Sequence, residues 1–433
     1  MPLLEPRDGL PPLVVTAQAL AESVRALGAG HGPVAVDTER ASGFRYGQRA
    51  FLVQARRRGA GTVLIDPVAC PDLSALDAAL ADAEVVLHAA SQDLPCLAEL
   101  GYRPRHLFDT ELAGRLLGYP RVGLGTLVET VLGLSLEKSH SAADWSTRPL
   151  PPEWLRYAAL DVEVLVELRD ELAGQLAAQG KAEWAQQEFA AVLAARPPEP
   201  RTDPWRRTSG IHRVRSRRSL AVVRELWQER DKIARRRDVS PSRLLPDTAI
   251  VAAARTMPGS PAELAATPGF AARNARRSVP EWLRAIGHAK ALPDRDLPES
   301  SAPAGDGPPP AHRWHERDPA AAGRLAAARA AVTALADAAG MPAENLLQPD
   351  AIRRLCWQPP EPVSAATVAG QLAGYGARPW QTEITAAPVA AALLSIAAQP
   401  EGTAAEGTAA PDETPAPGET TQPEEAAAEG SPD

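Results

Sequence analysis

The sequence predicts an α/β domain with a mixed sheet, followed by all-α helical modules. Between residues 13 and 195, the short β-rich runs V-A-V-D-T, A-F-L-V-Q-A, T-V-L-I-D and E-V-V-L-H alternate with turn residues and helical stretches. Three strands in quick succession, then helices and a further strand, do not form a repeated β-α-β pattern. The chain from residue 220 to about residue 289 shows only the helical period.

Composition places the chain among ordinary globular proteins. Its 433 residues are enough for two or three domains, and its 43 prolines predict proline-rich linkers between them. The sequence contains neither a run of about 18 apolar residues nor an export signal. Cys70, Cys96 and Cys356 form no C-x-x-C pair, which argues against a zinc site or a disulfide framework. We expect a cytoplasmic protein that has no membrane partner and no obligate protein partner.

The predicted organisation follows shifts in composition. It comprises the α/β domain at 1–195, a basic linker at 196–213, a helical module at 214–292, a Pro/Gly/Ser-rich linker at 293–317, a second helical module at 318–398 and a disordered acidic tail at 399–433. The tail carries nine acidic residues and no Lys or Arg, so the remainder of the chain is close to neutral. The run G-M-P-A-E-N-L-L-Q-P-D-A-I-R-R-L echoes D-V-S-P-S-R-L-L-P-D-T-A-I-V-A-A, which makes the two modules a weak internal repeat.

Acidic residues follow two of the predicted strands and one helix. Asp37 and Glu39 would lie on one face of a strand, roughly 6 to 7 Å apart, and Asp93 comes just after a strand end. Tyr157 and Asp161 are four residues apart and share a helix face. Oxygen-only ligands suit Mg²⁺ or Mn²⁺, and two such ions can activate a water for phosphodiester hydrolysis. A D-x-E spacing on a strand and a Y-x-x-x-D spacing on a helix each occur by chance. An exposed strand edge therefore remains the alternative to a metal site.

Five ordered motifs resemble ribonuclease D, a family of the tyrosine-containing branch of the DEDD 3′-to-5′ exonucleases. They are V-D-T-E, H-A-A-S-Q-D-L-P-C-L, F-D-T-E-L-A-G-R-L-L-G, L-E-K-S-H-S-A-A-D-W-S-T-R-P-L and R-Y-A-A-L-D-V-E-V-L. The resemblance implies an RNase H-like fold. It also assigns metal-binding acids to Asp37, Glu39, Asp93 and Asp161, and a water-orienting tyrosine to Tyr157, so these five residues are the candidate catalytic set.

The first helical module resembles an HRDC domain over L-W-Q-E-R-D-K-I-A-R-R-R-D-V-S-P-S-R-L-L-P-D-T-A-I-V-A-A-A-R. The second would then be a degenerate HRDC-like module. HRDC domains are taken to aid nucleic-acid binding, so Arg235, Arg236 and Arg237 are candidate nucleic-acid ligands, although a solvated helix face explains such a run as well. The resemblance places Lys138 in a loop near the active site, where it would contact phosphate or remain a solvated lysine.

The resemblance implies a metal-dependent 3′-to-5′ exoribonuclease with two divalent cations, Mg²⁺ or Mn²⁺. It would act on single-stranded 3′ ends of RNA, release 5′-monophosphates and trim tRNA precursors and other small structured RNAs. Two alternatives stay open: a DNA 3′-to-5′ exonuclease in repair, and a non-catalytic nucleic-acid-binding protein that retains the fold. No sequence motif reports contact with a 2′-OH, whereas the complete acidic and tyrosine positions count against the second alternative.

Overall fold

The protein is described by a computed structural model that covers residues 2–136, 140, 142–196, 199, 201–301 and 307–397. Its N-terminal part mixes strands with helices, as the patterning predicts. The strands are β1 (Pro2–Leu3), β2 (Leu13–Val14), β3 (His31–Arg40), β4 (Ala50–Arg58), β5 (Gly61–Ile65), β6 (Glu84–Leu87), β7 (His106–Asp109) and β8 (Ser135–Leu136). The helices of this part are α1 (Ala17–Ala29), α2 (Ser74–Ala79), α3 (Leu94–Glu99), α4 (Thr110–Leu116), α5 (Leu124–Leu132), α6 (Pro152–Glu163), α7 (Leu165–Ala178) and α8 (Ala182–Ala194).

Six strands form one mixed sheet in the order β2-β5-β4-β3-β6-β7. β4 runs antiparallel to both of its neighbours, whereas the β2/β5, β3/β6 and β6/β7 pairs are parallel. Val34, Ala35 and Val36 are all buried, as expected for a strand covered on both faces. The ladder between β3 and β4 shifts register between Glu39 and Arg40, so an irregularity lies at the end of the central strand. β1 and β8 form a separate two-stranded parallel pair.

The next part of the chain is the middle helical unit, defined here as α9 to α14. These helices are α9 (Arg217–Arg237), α10 (Pro241–Leu244), α11 (Asp247–Thr256), α12 (Pro261–Ala266), α13 (Arg273–Arg276) and α14 (Val279–Ala291). Ser216 caps α9 by accepting a hydrogen bond from the backbone of Ser219, and Ser260 caps α12 in the same way. Its core is a hydrophobic cluster of its own, and that cluster includes Trp205 from the preceding segment.

A C-terminal helical unit, α15 to α20, completes the described chain. Its helices are α15 (Trp314–Arg317), α16 (Pro319–Ala338), α17 (Ala343–Leu346), α18 (Pro349–Trp357), α19 (Ala365–Gly374) and α20 (Pro379–Ala397). Its buried residues belong to the same hydrophobic cluster as the core of the α/β part. At the junction, the rings of Trp184 and Trp380 stack with centroids 4.7 Å apart.

The predicted fold class, an α/β unit with a mixed sheet followed by helical modules, is confirmed. The domain boundaries drawn from composition remain predictions. None of the helices in the described residues is long and apolar enough to span a membrane. The acidic tail at 399–433 and Lys138 lie outside the described residues.

Candidate active site

Three of the predicted acids meet where β3 ends beneath α6. Carboxylate oxygens of Asp37, Glu39 and Asp161 all lie within 4.8 Å of one another. Asp37 and Glu39 reach this point from alternate positions of β3, and Asp161 reaches it from α6, which packs across β3, β4 and β5. The far end of α6 is fixed to the sheet by an ion pair of 2.9 Å between buried Glu163 and Arg56. The strand period puts Asp37 and Glu39 on one face, and the packing of α6 across β3 brings Asp161 to them.

Asp93 adds a fourth carboxylate from the turn between β6 and α3. Its Oδ1 accepts a hydrogen bond of 2.6 Å from the hydroxyl of Thr38, the residue between Asp37 and Glu39. Asp93 is not part of the 4.8 Å group, but its charge contributes to the raised pKa values of Asp37 and Glu39. It therefore lies close enough to act electrostatically as a member of the same acidic cluster.

A buried carboxylate holds the turn that carries Asp93. Asp109 accepts hydrogen bonds from the backbone N–H groups of Ala89 and Ala90 at 3.1 and 2.8 Å. Ala89 has a φ of 59°, a left-handed conformation that costs energy for a residue with a Cβ atom. Asp109 also caps α4 by accepting from the backbone of Glu111 and Leu112. One side chain thus connects the turn before Asp93 to the start of a helix.

Burial raises the pKa values of all four acids, and repulsion between the acids adds to the rise for Asp37 and Glu39. Desolvation is the largest cause for each: it raises the pKa of Glu39 to about 9, that of Asp161 to about 7 and that of Asp93 to about 6. For Asp37 the pKa rises well above its ordinary value, because Asp93, Glu39 and Asp161 add their charges to the desolvation. Without bound cations, a cluster of this kind favours protonated carboxyl groups.

The donor set fits divalent cations. Among the described residues, no Lys or Arg forms an ion pair with Asp37, Glu39, Asp93 or Asp161. Arg40 is nearby, but its guanidinium donates to the backbone and side chain of Gln92. The buried Oε1 of Gln54, the residue paired with Asp37 across β3 and β4, has no hydrogen-bond partner in the part of the chain that the structure describes. The charge of Arg40 lowers the pKa values of Glu39 and Asp93 but does not outweigh their burial, and oxygen ligands with such excess negative charge match Mg²⁺ or Mn²⁺.

Tyr157 lies one helical turn before Asp161 and faces the cluster. Its ring packs beside fully buried Trp145, at 6.4 Å between centroids, and edge-on to His140 at 5.8 Å. Burial, followed by the charges of Asp161, Glu39 and Asp37, raises the pKa of its hydroxyl above the ordinary value. The hydroxyl therefore stays protonated near neutral pH and can donate a hydrogen bond.

A pocket of about 440 Å³ opens beside the acids. Thr38, Glu39 and Gln92 line it, together with the first residues of the loop at 41–49, which we call the lip loop. The middle helical unit holds this loop from outside. The hydroxyl of Tyr46 donates to Asp231 at 2.8 Å, and Asp238 accepts from the backbone N–H of Tyr46 at 3.3 Å and from Arg49 at 3.1 Å.

The three predicted arginines of α9 differ in their surroundings. Arg235 donates to the hydroxyl of Tyr46 and pairs with Asp231, and Arg237 donates to the hydroxyl of Ser278 at 2.9 Å. Arg236 is exposed and has no ion pair within the described part of the chain. Two of the three guanidinium groups therefore already have partners inside the protein, and their binding of nucleic acid stays a prediction.

Three residues that support the cluster were not predicted from the sequence: Thr38, Gln54, whose side-chain amide donates to Asp37 at 3.5 Å, and Asp109. Asp109 had a readable signal, since an aspartate that ends a strand and precedes a helix is a typical N-cap. The contacts of Thr38 and Gln54 depend on which strands pair with β3, and local patterning does not reveal that pairing.

The mixed sheet gathers oxygen-only side chains into an acidic cluster that can hold divalent cations, a kind of site that suits phosphodiester hydrolysis. A family model described as a 3′-5′ exonuclease matches residues 12–177, an HRDC domain matches residues 219–286, and a 3′ to 5′ exonuclease C-terminal domain matches residues 307–393. The chain is 34% identical to ribonuclease D of Acidiphilium cryptum over 312 residues, which are 70% of this chain and 78% of the relative.

Two solved structures are similar to the chain. A protein from Bifidobacterium adolescentis is 38% identical with a TM-score of 0.83, and the match covers 91% of this chain and 99% of that one. Escherichia coli RNase D is 28% identical with a TM-score of 0.61, and the match covers 84% and 99% of the two chains. The chain belongs to the ribonuclease D family. It is a 3′-to-5′ exoribonuclease, and the predicted resemblance is confirmed.

Proposed function

We propose that this enzyme trims the 3′ ends of tRNA precursors and other small structured RNAs, removing one nucleotide at a time. The observation that carries the proposal is the acidic cluster of Asp37, Glu39 and Asp161, with Asp93 beside it and no paired cation among the described residues. The adjoining pocket of about 440 Å³ has the size of a small-molecule site, so it suits a terminal nucleotide of a single strand better than a duplex end.

The four acids would hold two divalent cations, Mg²⁺ or Mn²⁺. When bound, such ions neutralise the phosphodiester charge and make water a stronger nucleophile. Asp37, Glu39 and Asp161 are candidate ligands because their carboxylate oxygens converge, and Asp93 is a fourth because its charge acts on Asp37 and Glu39. Thr38 would keep the Asp93 carboxylate in position through its hydrogen bond.

Tyr157 would orient the attacking water. Because the pKa of its hydroxyl is raised, Tyr157 donates a hydrogen bond and does not serve as a free base. Water attacks the last phosphodiester and its proton passes to solvent, while the 3′-oxygen of the shortened strand leaves and takes up a proton. The phosphate stays on the released nucleotide, which is why the product is a nucleoside 5′-monophosphate.

The proposal is tested with a tRNA precursor that carries a short 3′ extension and with a DNA strand of the same extension sequence. We expect the RNA to be shortened to the mature end with release of 5′-monophosphates, and the DNA to be degraded more slowly. Asp161→Asn keeps the shape of the side chain and is expected to abolish release. Faster degradation of DNA, or full release by Asp161→Asn, would contradict the proposal.

A further inference from the structure

Gln92 lies in the wall of the pocket beside the acids, one residue before Asp93. It ends a short 3₁₀ turn, Ala90–Gln92, between β6 and α3. Gln92 is exposed, and it lines the pocket together with Glu39 and Arg40. A strand whose last phosphodiester lies on the acidic cluster would therefore meet this side chain.

Arg40 fixes the orientation of the Gln92 amide. One Nη atom of Arg40 donates to the backbone oxygen of Gln92 at 3.0 Å, and the other donates to its side-chain Oε1 at 3.1 Å. A guanidinium has no acceptor, so the amide oxygen must face Arg40 and the amide nitrogen takes the other branch. The backbone N–H of Gln92 donates to the carbonyl of Ala89 at 2.9 Å. Gln92 is thus held at three points, while its NH₂ group has no partner among the described residues.

The position of Arg40 depends on an irregularity in the sheet. The ladder between β3 and β4 shifts register between Glu39 and Arg40, the last residue of β3. Irregularities of this kind change the direction of a side chain where strand pairing ends. Through its two bonds to Gln92, Arg40 connects the strand that carries Glu39 to the turn that precedes Asp93.

The other neutral polar side chains that line the pocket already bond within its wall. The hydroxyl of Thr38 donates to Asp93 at 2.6 Å, and the hydroxyl of Ser42 donates to Oε1 of Gln48 at 2.6 Å. Gln48 belongs to the lip loop, whereas Gln92 directly precedes one of the acids. Gln92 therefore offers a neutral N–H donor next to the acidic cluster.

The ribose of the terminal nucleotide is the substrate group that best matches this donor. The phosphorus under attack lies on the acids, and this ribose is joined to it through the 5′ carbon and oxygen. The base lies further from the phosphorus and differs between nucleotides, whereas an enzyme that removes successive nucleotides has to accept every base. Among the ribose oxygens, the 2′-hydroxyl is the one that distinguishes RNA from DNA. An N–H group fixed in this wall suits the 2′-oxygen of an exoribonuclease substrate.

We propose that the amide nitrogen of Gln92 donates a hydrogen bond to the 2′-oxygen of the terminal ribose, and that Arg40 is the positioning residue for this amide. The inference rests on the proposed function, since it assumes that the last nucleotide of a strand occupies the pocket. The bond favours a terminal ribonucleotide over a deoxyribonucleotide and takes no part in proton transfer or cation binding. Because Gln92 is exposed, water replaces the lost partner on a deoxyribose end, and the preference has the size of one neutral hydrogen bond.

The test uses single strands that differ only in the last sugar, which is ribose, 2′-deoxyribose or 3′-deoxyribose. Full-length wild type is compared with Gln92→Met, which keeps the length of the side chain and removes its donor. Gln48→Met makes the same change in the lip loop and is the matched control. Arg40→Lys keeps the positive charge beside Glu39, but one ammonium group does not reproduce the paired donors of a guanidinium.

We expect the kcat/KM of wild type to be roughly fivefold to tenfold higher for the ribose end than for the 2′-deoxyribose end. Gln92→Met should slow cleavage of the two ends that carry a 2′-hydroxyl by this factor and leave the 2′-deoxyribose end within twofold of wild type. Arg40→Lys should reduce the preference in part, and Gln48→Met should leave the ratio unchanged. The calorimetric Mn²⁺ affinity of Gln92→Met should match that of wild type, which shows that Asp93 stays in place.

The inference is overturned if Gln92→Met slows the 2′-deoxyribose end as much as the ribose end, because the side chain would then act through the fold, the phosphate or the base. It is also overturned if wild type does not prefer the ribose end, or if Gln48→Met changes the ratio as strongly. An effect of Gln92→Met on the ribose end but not on the 3′-deoxyribose end would assign the contact to the 3′-hydroxyl and overturn it too. Failure of the proposed function has a different signature: a tRNA precursor would stay untrimmed although the short strands are cleaved in the expected ratio.

Discussion

Tyr157 shows how the surroundings of one residue decide its chemical role. Its ring is held by Trp145 and His140, and its hydroxyl faces carboxylates that raise its pKa. A hydroxyl that keeps its proton can direct a water molecule but cannot remove a proton from it near neutral pH. The role proposed for Tyr157 therefore depends on one hydrogen bond, which makes it separable from the packing of the ring.

We predict that Tyr157→Phe lowers kcat by about 100-fold. This is the lower end of the rate enhancement that a side chain positioned for proton transfer contributes. The variant keeps the ring, so its melting temperature and its affinity for Mn²⁺ should match those of wild type. Single-turnover cleavage of a short RNA, thermal melting and calorimetric Mn²⁺ titration measure the three quantities. A kcat within twofold of wild type would remove Tyr157 from the proposed mechanism.

The acidic cluster should make the metal-free protein less stable as pH rises. The pKa values of Asp37, Glu39, Asp93 and Asp161 are higher in the folded protein than in the unfolded chain. Such groups stabilise the folded state fully at pH values below their pKa in the unfolded chain, about 4. This stabilisation is lost as the pH rises through their pKa values in the folded protein. The loss extends to about pH 9 because the pKa of Glu39 is about 9.

We predict that Asp37→Asn reduces this loss of stability at high pH, because the substitution removes one of the repelling charges. In chelator, the melting temperature of wild type should fall between about pH 5 and about pH 9, and that of the variant should fall less. At the upper pH the variant should therefore melt at a higher temperature than wild type, although it is inactive. If the melting temperatures of the two proteins fall equally across this pH range, the charge of Asp37 does not repel its neighbours as described.

Local periods account for the pairs Asp37/Glu39 and Tyr157/Asp161, whereas the meeting of these pairs with Asp93 depends on tertiary packing. Alternation along β3 puts Asp37 and Glu39 on one face, and a spacing of four puts Tyr157 above Asp161. Thr38 is different: its hydroxyl reaches Asp93, 55 residues later, only because β6 pairs with β3. Local patterns carry no information about which strands become neighbours, so such supporting contacts were not predicted.

At the scale of elements, the turn between β6 and α3 depends on Asp109. The carboxylate satisfies two N–H groups of the turn and two N–H groups at the start of α4. Buried N–H groups that lose their partner are costly, as is the loss of an N-cap. The same turn presents Asp93 to the cluster.

We predict that Asp109→Ala destabilises the protein by about 2 to 4 kcal/mol, the combined cost of an N-cap and an unpaired buried N–H group. It should also weaken Mn²⁺ binding, because Asp93 is no longer held in place. Urea unfolding and calorimetry measure the two effects. Asp72→Ala is the matched control, since Asp72 is exposed and accepts from one backbone N–H of Ser74; an equal effect in both variants would contradict the role of Asp109.

The contacts between the lip loop and the middle helical unit could not be predicted from the sequence. Tyr46 contacts Asp231 and Asp238, residues that follow it by about 190 positions. The composition of residues 196–213 indicates a linker and gives no sign that the helices beyond it return to the mouth of the active site. The run of arginines in α9 was visible, but the internal partners of Arg235 and Arg237 were not.

At the scale of the whole molecule, the α/β part and the C-terminal helical unit share one hydrophobic core. Trp380 stacks on Trp184 and its indole N–H donates to Glu188 of α8 at 3.0 Å. The side chain of Asn345 donates to the backbone oxygen of Arg115 in α4 at 3.1 Å. The weak internal repeat predicted two comparable helical modules, whereas the structure gives only the middle one a separate core within the described residues.

We predict that a chain ending at Ser301 is destabilised in its α/β part, because the truncation exposes Trp184 and its surroundings to water. Its melting temperature should fall by several degrees or more, since a loss of about 1 kcal/mol already shifts a domain of this size by ~2 to 4 °C. A chain ending at residue 397, which removes the acidic tail, is the control and should melt like wild type. Equal melting of both truncated chains would show that the shared core contributes nothing.

The acidic cluster at the end of β3 is proposed to carry out metal-dependent cleavage from the 3′ end of RNA. The most direct measurement is digestion of a 5′-labelled single-stranded RNA by wild type and Asp37→Asn, each with Mg²⁺ and with chelator. We expect a ladder that shortens one nucleotide at a time from the 3′ end, only for wild type and only with Mg²⁺. Internal cuts, cleavage in chelator, or a wild-type rate for Asp37→Asn would contradict it.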